Sequence, residues 1–232
     1  MISAHKDFRE RSAQVSRYIL WLSREESSIQ GGIASSVPKH ILALGRSSAL
    51  VMLYNLVEST MSNALLDIYS AMSSQNASFD ALSSKVRQII LSNLKGHAPA
   101  KIESVLVNLC VDVHSKTFVK SEFFSGNVDA KLIRKTVKDY GVSTQFDYKE
   151  DTLLTIKSKR NSLAHGDDSF EGVGKDLTAR DLIQYYWKVR RYLTLTLEDF
   201  EAFILCNGFL RAAVQQKRVK QPGRIHHPGG AP

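Results

Sequence analysis

Apolar residues recur along this chain at helical rather than strand spacing. Over residues 4–30 they fall at Phe8, Val15, Tyr18, Ile19, Leu22 and Ile29 with Arg, Lys and Glu between them, which predicts a first helix. Gly31-Gly32 ends it, and Ser35-Ser36-Val37-Pro38 makes the turn into the next. From Pro38 to about Ser73 runs the longest apolar-periodic segment, including Leu42, Leu50, Leu53, Tyr54, Val57, Met61, Leu65, Ile68 and Tyr69. So wide an apolar face belongs to a helix packed on several sides or at a subunit contact, and Gly45 is where it would bend or begin afresh.

Beyond the polar break Ser73-Ser74-Gln75-Asn76, helices are predicted over about 79–94 and about 100–113, with His97 and His114 at helix ends as satisfied surface histidines. Residues 115–127 read as irregular, pinned to the core by Phe118, Val119, Phe123 and Phe124. Asn127 is suited to cap a helix over about 129–140, and Gly141 to end it. Val142 to Tyr148 has some strand character but is too short and isolated to make a sheet. A helix over about 149–165 and a loop over 166–177 follow, the loop carrying Asp167, Asp168 and Glu171. Thr178 with Asp181 forms a capping box that opens the last long helix, to about Cys206. Its aromatic group, Tyr185-Tyr186-Trp187 with Tyr192, suits either core packing or base stacking, with Lys188, Arg190 and Arg191 adding local positive charge. The expected architecture is all-α: a bundle of long antiparallel helices with extra short ones and no significant sheet. Residues 1–212 should form one helical domain with its core at about 38–206, and 213–232 a disordered basic tail rich in Pro and Gly.

Composition agrees and narrows the partners. A chain of 232 residues with 43% hydrophobic and 23% charged residues supports one well-buried core and excludes wholesale disorder. The formal charge of +8 suggests an acidic partner, yet Arg211, Lys217, Arg218, Lys220 and Arg224 contribute five of those charges with no acid after them, leaving the rest at +3. The body is thus suited to take RNA at a local patch. Cys110 and Cys206 lie among apolar residues and read as reduced core cysteines. The first residues hold no apolar leader and no run approaches 18 apolar residues, so no membrane association is expected and the protein should be cytoplasmic. No P-loop, GxGxxG, HExxH or paired CxxC is present, and His226-His227 is a poor metal site, so neither cofactor nor metal is expected.

The chemistry concentrates in Lys159-Arg160-Asn161-Ser162-Leu163-Ala164-His165-Gly166. At 100° per residue, Asn161 and His165 stand one above the other, with Arg160 on the neighbouring flank, so guanidinium, amide and imidazole can face one cleft. Histidine moves protons near neutral pH, and arginine offers a fixed planar cation for charge growing on phosphate oxygens. That pairing suits phosphoryl chemistry on RNA without a metal, although the helix macrodipole alone also favours Arg and His near a helix C-terminus.

The string RNSLAHG followed by Asp168-Ser169-Phe170 resembles the signature of the HEPN superfamily, whose nuclease members carry Arg, four to six residues, then His, with a polar residue after the Arg. Leu53-Tyr54-Asn55-Leu56-Val57-Glu58-Ser59-Thr60 resembles the early long helix of that fold, with Glu58 as its acidic residue. Ser125-Gly126-Asn127-Val128-Asp129-Ala130-Lys131 through Tyr140-Gly141-Val142 is similar to a segment of one stand-alone bacterial branch. The resemblance implies a helical homodimer in which two motif helices meet at a composite site that cleaves RNA. Arg160 would stabilise the transition state and His165 would move protons or position the phosphate. Asn161 would bond the phosphate or hold His165, and Glu58 would orient the site. Lys157, Lys159, Ser162, Lys188 and Arg191 are candidate RNA contacts. The resemblance further implies a toxin or anti-phage effector, held in check or activated by a protein from a neighbouring gene. Its alternative is a non-catalytic HEPN module that dimerises or binds nucleotides or proteins.

Overall fold

The computed structural model describes residues 2–30, 37–95, 126–144 and 151–219. Among them are eight α-helices: α1 Ser3–Gln30, α2 Lys39–Ser74, α3 Ser84–Lys95, α4 Ala130–Tyr140, α5 Asp151–His165, α6 Phe170–Lys175, α7 Ala179–Leu205 and α8 Ala212–Val219. A single 3-10 turn, Phe79–Ala81, precedes α3, so the helix expected over 79–94 starts five residues late. No sheet occurs among the described residues. One antiparallel bridge, Leu82 with Leu210, ties the end of that turn to the chain after α7. Gly31-Gly32, the helix expected over 100–113, His97, His114, Cys110, residues 115–125, Gln145 to Tyr148 and the chain from Lys220 onward lie outside the described residues.

α2 is the axis of the molecule. Leu42, Leu50, Leu53, Leu56, Met61, Leu65 and Ile68 are all buried, and α1, α5, α6 and α7 pack around the helix, leaving a stripe with Ile41, Leu44 and Asn55 exposed. It is long and apolar enough to cross a membrane by length and composition alone, and here just over half of that apolar stretch is buried against neighbouring helices. Polar residues on it survive burial by bonding locally: Thr60 Oγ1 donates to the Leu56 carbonyl at 2.6 Å. The helix runs through Gly45 without interruption. A Cβ there would meet Leu22 Cδ2 at 2.8 Å and the Tyr18 hydroxyl at 3.3 Å, so the glycine serves the close approach of α1.

The remaining helices begin and end by local rules. Asp129, not Asn127, caps α4: its carboxylate accepts the Leu132 N–H at 2.8 Å. Gly141 closes α4 in the left-handed region at φ 78°. Thr178 and Asp181 form the reciprocal capping box at the start of α7. Residues 166–177, expected as loop, contain α6, capped by Ser169. Ser47 Oγ donates to the Phe170 carbonyl and Arg46 Nη1 to the Gly174 carbonyl at 3.0 Å, fixing α6 on α2. Arg46 also pairs with Glu26 of α1 at 2.5 Å, and Glu26 accepts the Ala179 N–H at 3.0 Å, so α6 and the start of α7 are held by one ion pair. Cys206, expected in the core, is exposed, because the helix ends at Leu205 and the chain turns there. Of the expected disordered tail, residues up to Val219 continue as α8.

Candidate active site

The motif lies on the last two turns of α5, and the end of that helix is built with care. Gly166 takes φ +79°, the Asp167 N–H bonds back to the Ser162 carbonyl at 3.0 Å, and the Asp168 N–H reaches the same carbonyl at 3.4 Å. This is a Schellman stop in which His165 is the last residue before the left-handed glycine. The Ser162 hydroxyl donates to the Asp168 carboxylate across the turn. Ser162, expected to touch RNA, is thus occupied in fixing the turn that carries His165. His165 itself is exposed, and nothing among the described residues bonds its imidazole.

Arg160, expected to share one cleft with Asn161 and His165, turns instead into the body, because five residues at 100° each set it about 140° around α5 from His165. Its guanidinium lies over the Tyr54 ring at 4.6 Å from the centroid. Nη1 donates to Asn161 Oδ1 at 3.0 Å and makes a long contact of 3.5 Å to the Gly126 carbonyl. The Asn161 amide nitrogen in turn donates to Asn127 Oδ1 at 3.4 Å. On the other side of the same residue, the Gly126 N–H donates to Glu58 Oε1 at 3.3 Å. Glu58 and Arg160 therefore grip Gly126 from its two ends. Glu58, expected to orient Arg160 or His165, makes no direct ion pair with Arg160 among the described residues; the two meet only through the Gly126 backbone. Gly126 is required at this point: its φ is +76°, and a Cβ would stand 2.8 Å from Arg160 Nη1.

Tyr54 was not legible as a site residue, because it reads as one more apolar position of α2. Yet it stands one turn before Glu58, on the same face. Its hydroxyl accepts the Val128 N–H at 3.1 Å, so one side chain supports both the guanidinium and the 126–128 backbone. Burial pushes the phenol pKa up, and the nearby Glu58 charge adds to that; the Val128 N–H and Arg160 oppose it without cancelling it. The ring thus stays neutral at physiological pH.

Of the expected RNA contacts, Lys157 is committed elsewhere. It forms a largely buried ion pair with Asp129, the cap of α4, and so ties the motif helix to α4. Burial pushes the Asp129 carboxyl pKa up, but the bond and charge of Lys157 and the Leu132 and Lys131 N–H groups outweigh it, holding it below the usual carboxylate range. Stability from a depressed carboxylate is complete above its unfolded value of about 3.9 and is lost as pH falls through the folded value. Asp129→Asn keeps a good capping residue but removes the pair. Urea unfolding should show it about 1–2 kcal/mol less stable than wild type at neutral pH, the gap closing below about pH 4. A gap unchanged in acid would mean the ion pair is not its source.

Lys159 is half-buried on α5, within the motif. Lys188 donates to Thr152 Oγ1 at 3.3 Å, at the start of α5, and Arg191 is exposed one turn further along α7. Thirteen residues of helix separate Thr152 from His165, about 20 Å. The structure thus brings Arg160, Asn161, Glu58 and Tyr54 together, leaves His165 open at the helix end, and puts Lys188 and Arg191 outside that group.

No curated protein and no solved structure matches the chain. A family model described as MAE_28990-like HEPN matches residues 3–207, from the first turn of α1 to just past the end of α7. An all-α bundle organised on one long buried helix accords with that match. The chain belongs to this HEPN family.

Proposed function

We propose that the protein is a metal-independent endoribonuclease acting as a homodimer through Arg160 and His165. The observation that carries this reading is the held guanidinium. Arg160 Nη1 is fixed by Asn161 and Gly126 over the Tyr54 ring, while Nε and Nη2 bond nothing among the described residues. An arginine so fixed is prepared to bond a phosphate without reorganising. Arg160 and His165 of one α5 point to different flanks, so one copy alone does not face both at one phosphate. A second copy related by a twofold axis would complete the site with two imidazoles and two guanidiniums.

The reaction follows from those groups. One imidazole takes the proton of the ribose 2′-hydroxyl, and the 2′-oxygen forms a bond to phosphorus. Arg160 from each copy meets the negative charge on the non-bridging oxygens. The bond from phosphorus to the 5′-oxygen breaks, and the second imidazole gives that oxygen its proton. The products carry a 2′,3′-cyclic phosphate and a 5′-hydroxyl. An unrestrained ribonuclease would harm its own cell. We therefore infer a toxin or defence role under control of a protein encoded nearby.

Complementation tests the composite site. Arg160→Ala and His165→Ala dimers should each lose most cleavage, whereas mixed dimers, which keep one arginine and one histidine, should cut measurably faster than either variant yet below wild type, because one of the two proton transfers is then left to water. Inert mixtures, or a strict monomer that cuts RNA at micromolar concentration, would remove the shared site. Tyr54 gives a second test. Tyr54→Leu removes the ring beneath Arg160 and should lower kcat/KM about three- to thirty-fold, the worth of a partly desolvated cation–π contact. Tyr54→Phe keeps the ring and should cut near the wild-type rate, while losing about 1–2 kcal/mol of stability through the orphaned Val128 N–H. Equal activity losses in the two variants would contradict the role given to the ring.

A further inference from the structure

A second surface on this molecule has the chemistry to hold RNA. Along α7 the exposed residues Arg180, Gln184, Trp187, Lys188 and Arg191 recur at i, i+4, i+7, i+8 and i+11, which places them on one stripe about 16 Å long. The opposite face of the helix, with Leu182, Tyr186, Val189 and Leu193, is buried in the core. Trp187 stands out from the stripe with 56% of its surface open. The Arg190 guanidinium lies over its ring at 5.3 Å, and Tyr186 meets it edge-on at 5.4 Å. Tyr186 is fixed in turn by a hydroxyl contact of 3.0 Å to Ser12 on α1. The indole therefore rests on a rigid support while remaining largely open. The acid on this part of the helix, Asp181, is folded back onto Thr178 in the capping box and accepts its N–H and hydroxyl. Lys188 reaches Thr152 and so joins the stripe to the start of α5, whose other end carries His165.

We propose that this stripe binds single-stranded RNA, a base stacking on Trp187 and the adjoining phosphates meeting Arg180 and Arg191. That the strand held here is the one to be cut rests on the ribonuclease reading; the binding itself does not. An open aromatic with cations along the same stripe on both sides of it is the arrangement that tracks a single strand, since every base offers a ring face and every nucleotide a phosphate. Double-stranded RNA keeps its bases stacked and offers the indole no face. A membrane surface would need a broad apolar face, and here one indole stands among cations and a glutamine. The separation of about 20 Å along α5 lets a strand lie on the stripe and reach the motif, so the stripe would select unpaired substrates.

The chain has two tryptophans, which makes the test direct. In the full-length His165→Ala protein, which holds RNA uncut, Trp21→Phe leaves Trp187 as the sole indole. A short oligouridylate should quench its emission saturably. In the His165→Ala background, fluorescence anisotropy of labelled oligouridylate should show Trp187→Leu weakening binding about ten-fold. Arg191→Gln should lower the salt dependence of log K by about 0.7. Emission indifferent to the oligonucleotide, or affinity and salt slope unchanged in both variants, overturns the proposal. So does emission that responds to protein concentration and not to RNA, which assigns the stripe to contact between copies. RNA bound through the stripe by a wild-type protein that cuts nothing would leave this inference standing and remove the ribonuclease reading.

Discussion

His165→Ala should lower kcat for RNA cleavage by about 10²- to 10⁴-fold while leaving the thermal midpoint unchanged. The imidazole is exposed and bonds nothing among the described residues, so truncation removes no folding contact. What it removes is the group able to take a proton from the 2′-hydroxyl or return one to the 5′-oxygen. Arg160→Ala should cost activity on a similar scale, about 10²- to 10³-fold, by removing the fixed charge opposite the non-bridging oxygens. Its effect on folding should be larger, because the guanidinium also covers the Tyr54 ring and bonds Asn161. Arg160→Lys should rescue little, since an ammonium cannot lie flat on the ring and present a planar fork at once. Measured kcat with a melting curve for each variant checks all three statements. A His165→Ala enzyme that cuts at the wild-type rate would mean the motif is ornament.

Gly174→Ala is expected to be the most damaging glycine-to-alanine change among the described residues. A Cβ at that position would stand 1.8 Å from the Ala43 carbonyl oxygen, 2.5 Å from its carbon and 2.9 Å from Ser47 Oγ. The first two are backbone atoms of the central helix and cannot rotate away, so α6 must lift off α2. Its anchors, the Ser47 bond to Phe170 and the Arg46 bond to Gly174, would stretch with it. Overpacking of this kind costs about 2–3 kcal/mol, roughly 5–10 °C in midpoint for a chain of this size. Gly172→Ala is the control. It lies on the same short helix, and its Cβ would meet only the rotatable Ser169 hydroxyl, at 3.0 Å. Its stability should stay within about 1 kcal/mol of wild type. Equal midpoints for the two variants would contradict the packing of α6 on α2.

How far the sequence could be read depended on whether a feature was local. The Thr178 and Asp181 capping box and the Gly141 stop are written in a few adjacent residues, and both stand where the pattern placed them. The cap of α4 was misplaced by two residues, because Asn127 and Asp129 are both good capping types and periodicity cannot separate them. α6 escaped notice because six residues with two glycines have no helical tendency of their own; its helix is imposed by Ser47, Arg46 and the groove at Ala43. The cluster Tyr185-Tyr186-Trp187 divides between alternatives the pattern left open: Tyr186 enters the core and Trp187, the next residue, turns out to solvent. In the candidate site, Arg160, Asn161 and His165 could be singled out by type and spacing, and Glu58 by the resemblance of its segment to the early long helix of the family. The contact of Tyr54 with Arg160 and the double grip on Gly126 join residues far apart in the chain, and no local pattern encodes them.

Total RNA and tRNA incubated with the protein in EDTA, beside Arg160→Ala and His165→Ala, decide whether Arg160 and His165 cleave RNA without a metal. Wild type alone should cut, and the new ends should be 2′,3′-cyclic phosphate and 5′-hydroxyl. Cleavage abolished by EDTA, or cleavage by both variants at the wild-type rate, would contradict metal-free cleavage by these residues.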